Sequence, residues 1–253
     1  EGRTVAYRRK RRDYVTKDES TSPTVSIKGL MLNIAIDAKE KRAVATADVE
    51  GAYLHADMDE VVIMLFEGEM VDYMVQANPE RYAPYVHTTK DGKKLLYVEL
   101  LKALYGCIKS ALLWYNLFTS TLLEMGFTIN PYDRCVANKV INGKQCTICW
   151  YVDDLKISHM ELTVIKEIVS MIEEKYGKMT VTYGKHHIYV GMDITFTDDG
   201  EAKILMSGYI KECLEAFPED CSQASGTPAA SHLFEVNEDC PKISEPRRQI
   251  LHS

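Results

Sequence analysis

The chain has 253 residues, 46% of them hydrophobic and 26% charged, with a net charge of −7. That length and composition support a sizeable core, in one large domain or two smaller ones, and place the chain among soluble globular proteins. No apolar run reaches membrane-spanning length, the N-terminus carries no signal-peptide segment and the seven cysteines form no dense framework, so the expected setting is the cytoplasm or nucleus and not the secretory route.

In chain order, residues 1–24 begin with a basic cluster of Arg3, Arg8, Arg9, Lys10, Arg11 and Arg12 and end in Ser20-Thr21-Ser22-Pro23. The acidic total argues against a nucleic-acid partner, but a local cluster contacts phosphates whatever the total. A solvated tail and a localisation signal are the other readings of this arm. From Val25 the period becomes helical, with Ile27, Leu30, Met31, Ile34 and Ala38 on one face and Thr24 or Ser26 as the cap. Residues 43–49 and 61–65 read as strands. Residues 69–86 read as helix interrupted by Pro79 and Pro84, and Asp91-Gly92 marks a hairpin turn ahead of Leu95–Val98.

The clearest helix covers 109–125, with Leu112, Leu113, Leu117, Leu122 and Met125 on its apolar face, Trp114 and Tyr115 in the core and Gly126 as its stop. Strands at 135–141 and 145–152 flank Asn142-Gly143, a strong two-residue hairpin signal. A helix over 160–176 follows, then strands at 179–183, 187–197 and 203–206, the last two joined at Asp199-Gly200, and a helix over 207–217. From Pro218 onward Pro, Ser and acidic residues dominate. Three hairpin signals without βαβ alternation predict an α+β fold, a largely antiparallel sheet with helices packed on it. The absence of a Walker-type or GxGxxG loop removes the common nucleotide folds. Cys146-x-x-Cys149 has no second pair and reads as half-buried reduced thiols.

One stretch resists a purely structural account. Trp150-Tyr151-Val152-Asp153-Asp154-Leu155-Lys156-Ile157-Ser158 sets two adjacent carboxylates at the junction of two apolar strand-like runs, with no glycine to make an ordinary hairpin turn. Either the aspartates face water in a turn, or a divalent cation offsets their repulsion, since Mg²⁺ prefers hard oxygen ligands. A cation site needs a further carboxylate. Asp48, which ends the apolar run from Ala43 to Ala47, is the candidate. If the two strands are neighbours, three carboxylates meet on one sheet surface. Such a set suits two Mg²⁺ ions about 3.5–4 Å apart, arranged for an in-line phosphoryl displacement. Asp57 is an outside alternative within an acidic rim of Glu50, Asp57, Asp59 and Glu60. His186-His187 read as strand residues, and Asp198-Asp199, followed by Gly200, as a plain turn.

The segments 43–58 (AVATADVEGAYLHADM) and 100–115 (LLKALYGCIKSALLWY), with the aspartate stretch, resemble in order and spacing the reverse transcriptase of copia-type LTR retrotransposons. The resemblance covers roughly residues 20–217, and the tail from Pro228 to Leu251 resembles the approach to that family's RNase H. It implies a right-hand polymerase fold, with an antiparallel palm sheet backed by helices, fingers and a partial thumb. The arm of residues 1–24 would start the fingers, 25–206 hold fingers and palm, and 207–253 start the thumb and connection. The implied activity is RNA-directed DNA synthesis on a primed RNA or DNA template from dNTPs. Mg²⁺ is the implied cofactor, with Mn²⁺ as a substitute. The integrase and RNase H regions of one polyprotein are the implied partners, with no membrane and with room for an oligomer.

Residue by residue, the resemblance makes Asp48, Asp153 and Asp154 the catalytic carboxylates and gives metal binding to Asp48, Val49, Asp153 and Asp154. Ala52 and Tyr53 fall where backbone approaches the nucleotide and an aromatic gate excludes a 2′-hydroxyl. Tyr105 and Gly106 start the segment under the incoming base and template. Ile188-Tyr189-Val190-Gly191 resembles the primer-grip hairpin. Lys178 or Lys185 is the candidate general acid, and Arg3, Arg8 and Arg9 are the candidate triphosphate cations. The family's Leu-Tyr-Gly-Leu-Lys-Gln-Ala-Pro is here Leu104-Tyr105-Gly106-Cys107-Ile108-Lys109-Ser110-Ala111, with the lysine displaced and the proline gone. The chain shows no integrase zinc motif or RNase H carboxylate set and reads as an excised piece of a polyprotein. That departure and that truncation support the alternative, a catalytically inactive nucleic-acid-binding or scaffolding module with a polymerase-like palm.

Overall fold

The structure, a computed structural model, describes residues 21–216, 243–245 and 248. The basic arm with Arg3, Arg8 and Arg9, and most of the tail from Pro228 to Leu251, lie outside the described residues. Helix α1 (Ile27–Glu40) opens at Ser26, not Thr24: the Ser26 hydroxyl accepts from the Gly29 amide at 3.0 Å, and its own amide and hydroxyl donate to Asp133 at 2.9 Å. Lys41, in the left-handed region at φ 55°, ends the helix and turns the chain into β1 (Ala43–Asp48).

After the single turn α2 (Ala52–His55) comes an outlying unit of β2 (Ile63–Glu67), α3 (Glu69–Ala77), α4 (Pro79–Tyr82), β3 (His87–Thr88) and β4 (Lys94–Glu99). Its three strands pair in the order β2-β4-β3. The strand expected over 61–65 begins two residues later, and its side chains alternate between exposed and half-buried. Asn78 breaks the expected 69–86 helix one residue before Pro79, and its side chain caps α4 by accepting from the Arg81 amide at 3.1 Å.

Helix α5 (Ser110–Glu124) leads to β5 (Thr128–Ile129), β6 (Val136–Ile141), β7 (Lys144–Tyr151) and β8 (Asp154–His159). The face that α5 buries is Trp114, Phe118, Thr121 and Leu122 with Met125 at its end; Leu112, Leu113 and Leu117 are only half-buried. The helix is apolar on nearly every side, so periodicity alone does not single out its inner face, and the large rings take it. Helix α6 (Leu162–Tyr176) and strand β9 (Thr180–Gly184) follow. The single strand expected over 187–197 is two, β10 (His186–Tyr189) and β11 (Met192–Phe196). Val190 at φ 49° and Gly191 at φ 72° form a two-residue turn between them, as Asn142 and Gly143 do between β6 and β7. Strand β12 (Ala202–Leu205) and helix α7 (Ser207–Ala216) complete the described chain. Among the described residues no helix is long and apolar enough to cross a membrane.

The main sheet is antiparallel, in the order β5-β6-β7-β8-β1-β9. One face carries Ala45, Ala47, Leu155, Ile157, Ile148 and Trp150. It packs on Phe118 and other apolar residues from α5 and α6 in a single core. The other face carries Asp48, Asp154, Thr46 and Lys156 and is covered in part by α1 and by the β10-β11-β12 sheet. Cys146 and Cys149 are fully buried, not half-buried. Three residues apart on one strand, they point to opposite faces. Burial pushes their thiols up to about 12 and about 11.

Candidate active site

The sheet joins what the sequence keeps 106 residues apart. Asp48, last in β1, pairs with Asp154, first in β8, and the same rung runs on to Thr180 of β9 and Tyr151 of β7. The Val49 amide donates to the Asp153 carbonyl at 3.1 Å, so the backbone beyond the rung is tied across as well. Val49 is buried and has no side-chain ligand, which leaves only its carbonyl for the metal role. Between β7 and β8 the chain reverses through Val152 and Asp153. Val152 sits at φ 58°, a conformation that is strained for a β-branched residue. The Trp114 indole N–H donates to the Val152 carbonyl at 2.7 Å and helps to hold that strain in place.

Burial pushes the Asp154 carboxyl up to about 6, and the Asp153 and Asp48 charges add to the push. Carboxylate oxygens are the hard donors that a divalent cation such as Mg²⁺ prefers. Among the described residues, however, no three acidic, His or Cys side chains stand gathered at ligand spacing. A carboxyl whose folded pKa lies above its ordinary 3.8 weakens the fold as pH rises through about 6, and the full penalty is present at neutral pH. Asp154→Asn should therefore raise the melting temperature in EDTA at about pH 7.5. The gain is about 1 kcal/mol once the exposed half of the group is discounted, or roughly 2–4 °C. It should vanish near pH 4. An equal gain at both pH values would mean that charge repulsion is not its source.

Other candidates fall as follows. Gly51 turns at φ 64° into α2, which starts with the fully buried Ala52. Tyr53 is half-buried, and its ring lies 4.5 Å from the Tyr105 ring at 39°. Gly106, at φ 95°, follows. The two segments expected to meet the nucleotide are thus in contact through their tyrosines. Asp57 pairs with Lys102 at 2.7 Å, and Lys109, the displaced lysine, reaches Asp59 at 3.3 Å and Glu60 at 3.9 Å. Asp57, Asp59 and Glu60 of the solvated acidic rim are thus ion-paired with lysines while remaining at least partly exposed to water. Lys185 pairs with Asp198 on the surface, which engages one of the two candidate general acids away from the aspartates.

The sequence reading missed the polar support under the rung. His187 is buried: its Nε2 donates to the Gly184 carbonyl at 2.9 Å, so Nδ1 accepts from the Thr46 hydroxyl at 3.1 Å. Burial lowers its pKa. Tyr189 shares its hydroxyl proton between the carbonyls of Cys149 and Asp154, each at 3.3 Å. With Thr46, Thr180, Thr182 and Ile188 it walls a cavity of about 150 Å³ that opens beside Asp48 and Asp154. Lys156, wholly buried, pairs with Asp37 of α1. Burial works most strongly against its charge, but the charge and hydrogen bond of Asp37, with a contribution from Cys149, together outweigh it and the proton is held more tightly than usual. A lysine alternating with buried Leu155 and Ile157 was the available signal.

The family described as reverse transcriptase (RNA-dependent DNA polymerase) matches residues 2–230. The Retrovirus-related Pol polyprotein from transposon TNT 1-94 of Nicotiana tabacum is 26% identical over 91% of this chain and 16% of its own length. The Transposon Ty1-NL2 Gag-Pol polyprotein of Saccharomyces cerevisiae is 24% identical over 77% of this chain and 10% of its own length. The chain thus spans a small part of the polyproteins it resembles. Among solved structures, apo telomerase from Candida tropicalis, truncated from its C-terminal domain, aligns with a TM-score of 0.39 and 12% identity, over 76% of this chain and 42% of that one. The copia-type resemblance is matched by relatives of that kind, and with nine-tenths of its length inside the match the chain belongs to the reverse transcriptase (RNA-dependent DNA polymerase) family.

Proposed function

We propose that the chain adds dNTPs to a primer 3′-hydroxyl on an RNA or DNA template, as the synthetic part of a longer polyprotein that also carries integrase and RNase H regions. The single observation that carries this reading is the Asp48–Asp154 rung with Asp153 in the adjoining turn. The primer 3′-oxygen bonds to the α-phosphorus as pyrophosphate leaves. Asp48, Asp153 and Asp154, with the Val49 carbonyl, would hold Mg²⁺ or Mn²⁺. When bound there, such ions lower the pKa of the attacking hydroxyl and neutralise the phosphates. Tyr53, braced by Tyr105, faces the sugar and rejects a 2′-hydroxyl. Residues 25–206 act as fingers and palm, residues 1–24 start the fingers and residues 207–253 start the thumb.

The test is primer extension on poly(rA)/oligo(dT) in Mg²⁺. The wild type should extend with dNTPs and discriminate against rNTPs. Tyr53→Ala should narrow that discrimination by about 10²-fold, since a lost steric wall no longer separates the two sugars. Unchanged discrimination would remove Tyr53 from the sugar's side. The second reading, a binding module without chemistry, is favoured by the altered 107–111 segment and by the want of a preformed ligand cluster among the described residues. Template-primer bound without extension is its signature.

A further inference from the structure

Beneath the aspartate rung lies a rung that the polymerase reading does not use. On β8, Lys156 follows Asp154 by two residues on the same face; it is paired with Thr46 on β1 and Cys149 on β7. Its ammonium meets the Asp37 carboxylate, both groups only 1% exposed. The other Asp37 oxygen has no hydrogen-bond partner among the described residues and lies 3.9 Å from an Arg42 guanidinium nitrogen. That same nitrogen donates to the Thr147 hydroxyl of β7 at 3.2 Å, and the Arg42 amide donates to the Asp37 carbonyl at 2.9 Å. Asp37 therefore reaches β8 through Lys156 and β7 through Arg42, one residue before the start of β1.

Helix α1 does not need this network to stay on the sheet. Leu30, Ile34 and Ala38 are buried against the core, and Ser26 anchors the far end to Asp133. A buried ion pair is also a poor source of net stability, because desolvation offsets most of the attraction. What it supplies is direction. Apolar contacts tolerate small slides along a strand, whereas a hydrogen-bonded charge pair fixes one position. Here the fixed parts are both strands of the aspartate hairpin and the junction from which Asp48's strand departs. Mg²⁺ demands a near-ideal octahedron with ligands at about 2.0–2.1 Å, so small displacements of these strands matter.

We propose that Asp37, with Lys156 and Arg42 as its two cations, is a positioning residue that aligns Asp48, Asp153 and Asp154 for metal. The inference rests on the reading of those aspartates as metal ligands, and its first readout is independent of synthesis: Mn²⁺ binding by electron paramagnetic resonance, without nucleic acid. Asp37→Asn should weaken Mn²⁺ binding by about tenfold, the scale of lost outer-shell support at metal sites. Because that variant leaves Lys156 buried and unpaired, the deciding protein is Asp37→Leu with Lys156→Met, which replaces the pair by packing.

The double variant should melt close to wild type and still bind Mn²⁺ about tenfold more weakly. Its apparent Mg²⁺ requirement in primer extension should rise by the same factor, with template-primer affinity within about twofold of wild type. Wild-type Mn²⁺ affinity in a stable double variant would overturn the proposal, leaving the pair a packing element. A double variant that melts far below wild type would overturn it too, since the pair would then support the fold and not align the site. A wild type that binds Mn²⁺ but extends no primer sinks the polymerase reading and leaves this one standing; one that binds no Mn²⁺ sinks both.

Discussion

Asp153→Asn should abolish primer extension, by about 10³-fold or more, while the protein keeps its melting temperature and its grip on template-primer. The residue sits in the turn between β7 and β8, where its carbonyl accepts from the Val49 amide at 3.1 Å. That bond survives the substitution, so the fold has little to lose. What disappears is a hard, charged oxygen donor, and an amide is a far weaker ligand for Mg²⁺. A factor of 10³ corresponds to about 4 kcal/mol of transition-state stabilisation, an ordinary loss when a charge-neutralising group is removed. The check is single-turnover extension beside a duplex-binding titration, wild type against variant. Equal rates would remove the paired aspartates from the chemistry. A joint fall in rate and duplex affinity would instead point to a structural role.

Much of this was legible because its signals are local. Asn142-Gly143 and Asp199-Gly200 state their turns in two letters, since glycine is the cheapest residue at positive φ. Asp153-Asp154 stands out because like charges inside an apolar run are costly without a reason. Asp48 was legible as the end of an apolar strand, and the pairing of the two strands followed from resemblance; no local rule could have supplied it. Four further features stayed hidden for physical reasons. The buried face of α5 is set by where Trp150 and Tyr176 wait for Phe118, which is tertiary information. The division of 187–197 hinges on Val190 at φ 49°, where a β-branched residue is a poor predictor of a turn. The Asp37–Lys156 pair spans 119 residues, and neither member announces the other. The burial of His187 likewise depends on Thr46, far away on β1.

Trp114 offers the second large effect, because it serves packing and the turn at once. It is 1% exposed, with ring centroids 5.3 Å from Phe118 and 5.0 Å from Tyr176, and its N–H caps the Val152 carbonyl at 2.7 Å. Trp114→Ala should cost about 3–5 kcal/mol of stability through the cavity it leaves, roughly 10 °C in melting temperature. Trp114→Phe separates the two roles. It keeps a ring in the cluster and orphans the carbonyl, at about 1–3 kcal/mol. Without that anchor, Val152 has less to hold it in a left-handed conformation that itself costs on the order of 1–3 kcal/mol. The turn should relax and carry Asp153 with it, lowering the extension rate about tenfold at unchanged duplex affinity. A double-mutant cycle decides the mechanism. Glycine at position 152 accepts φ 58° freely, so in a Val152→Gly background Trp114→Phe should lose much less activity. An equal loss in both backgrounds would mean that the indole acts through packing alone and that the strained turn needs no help from α5.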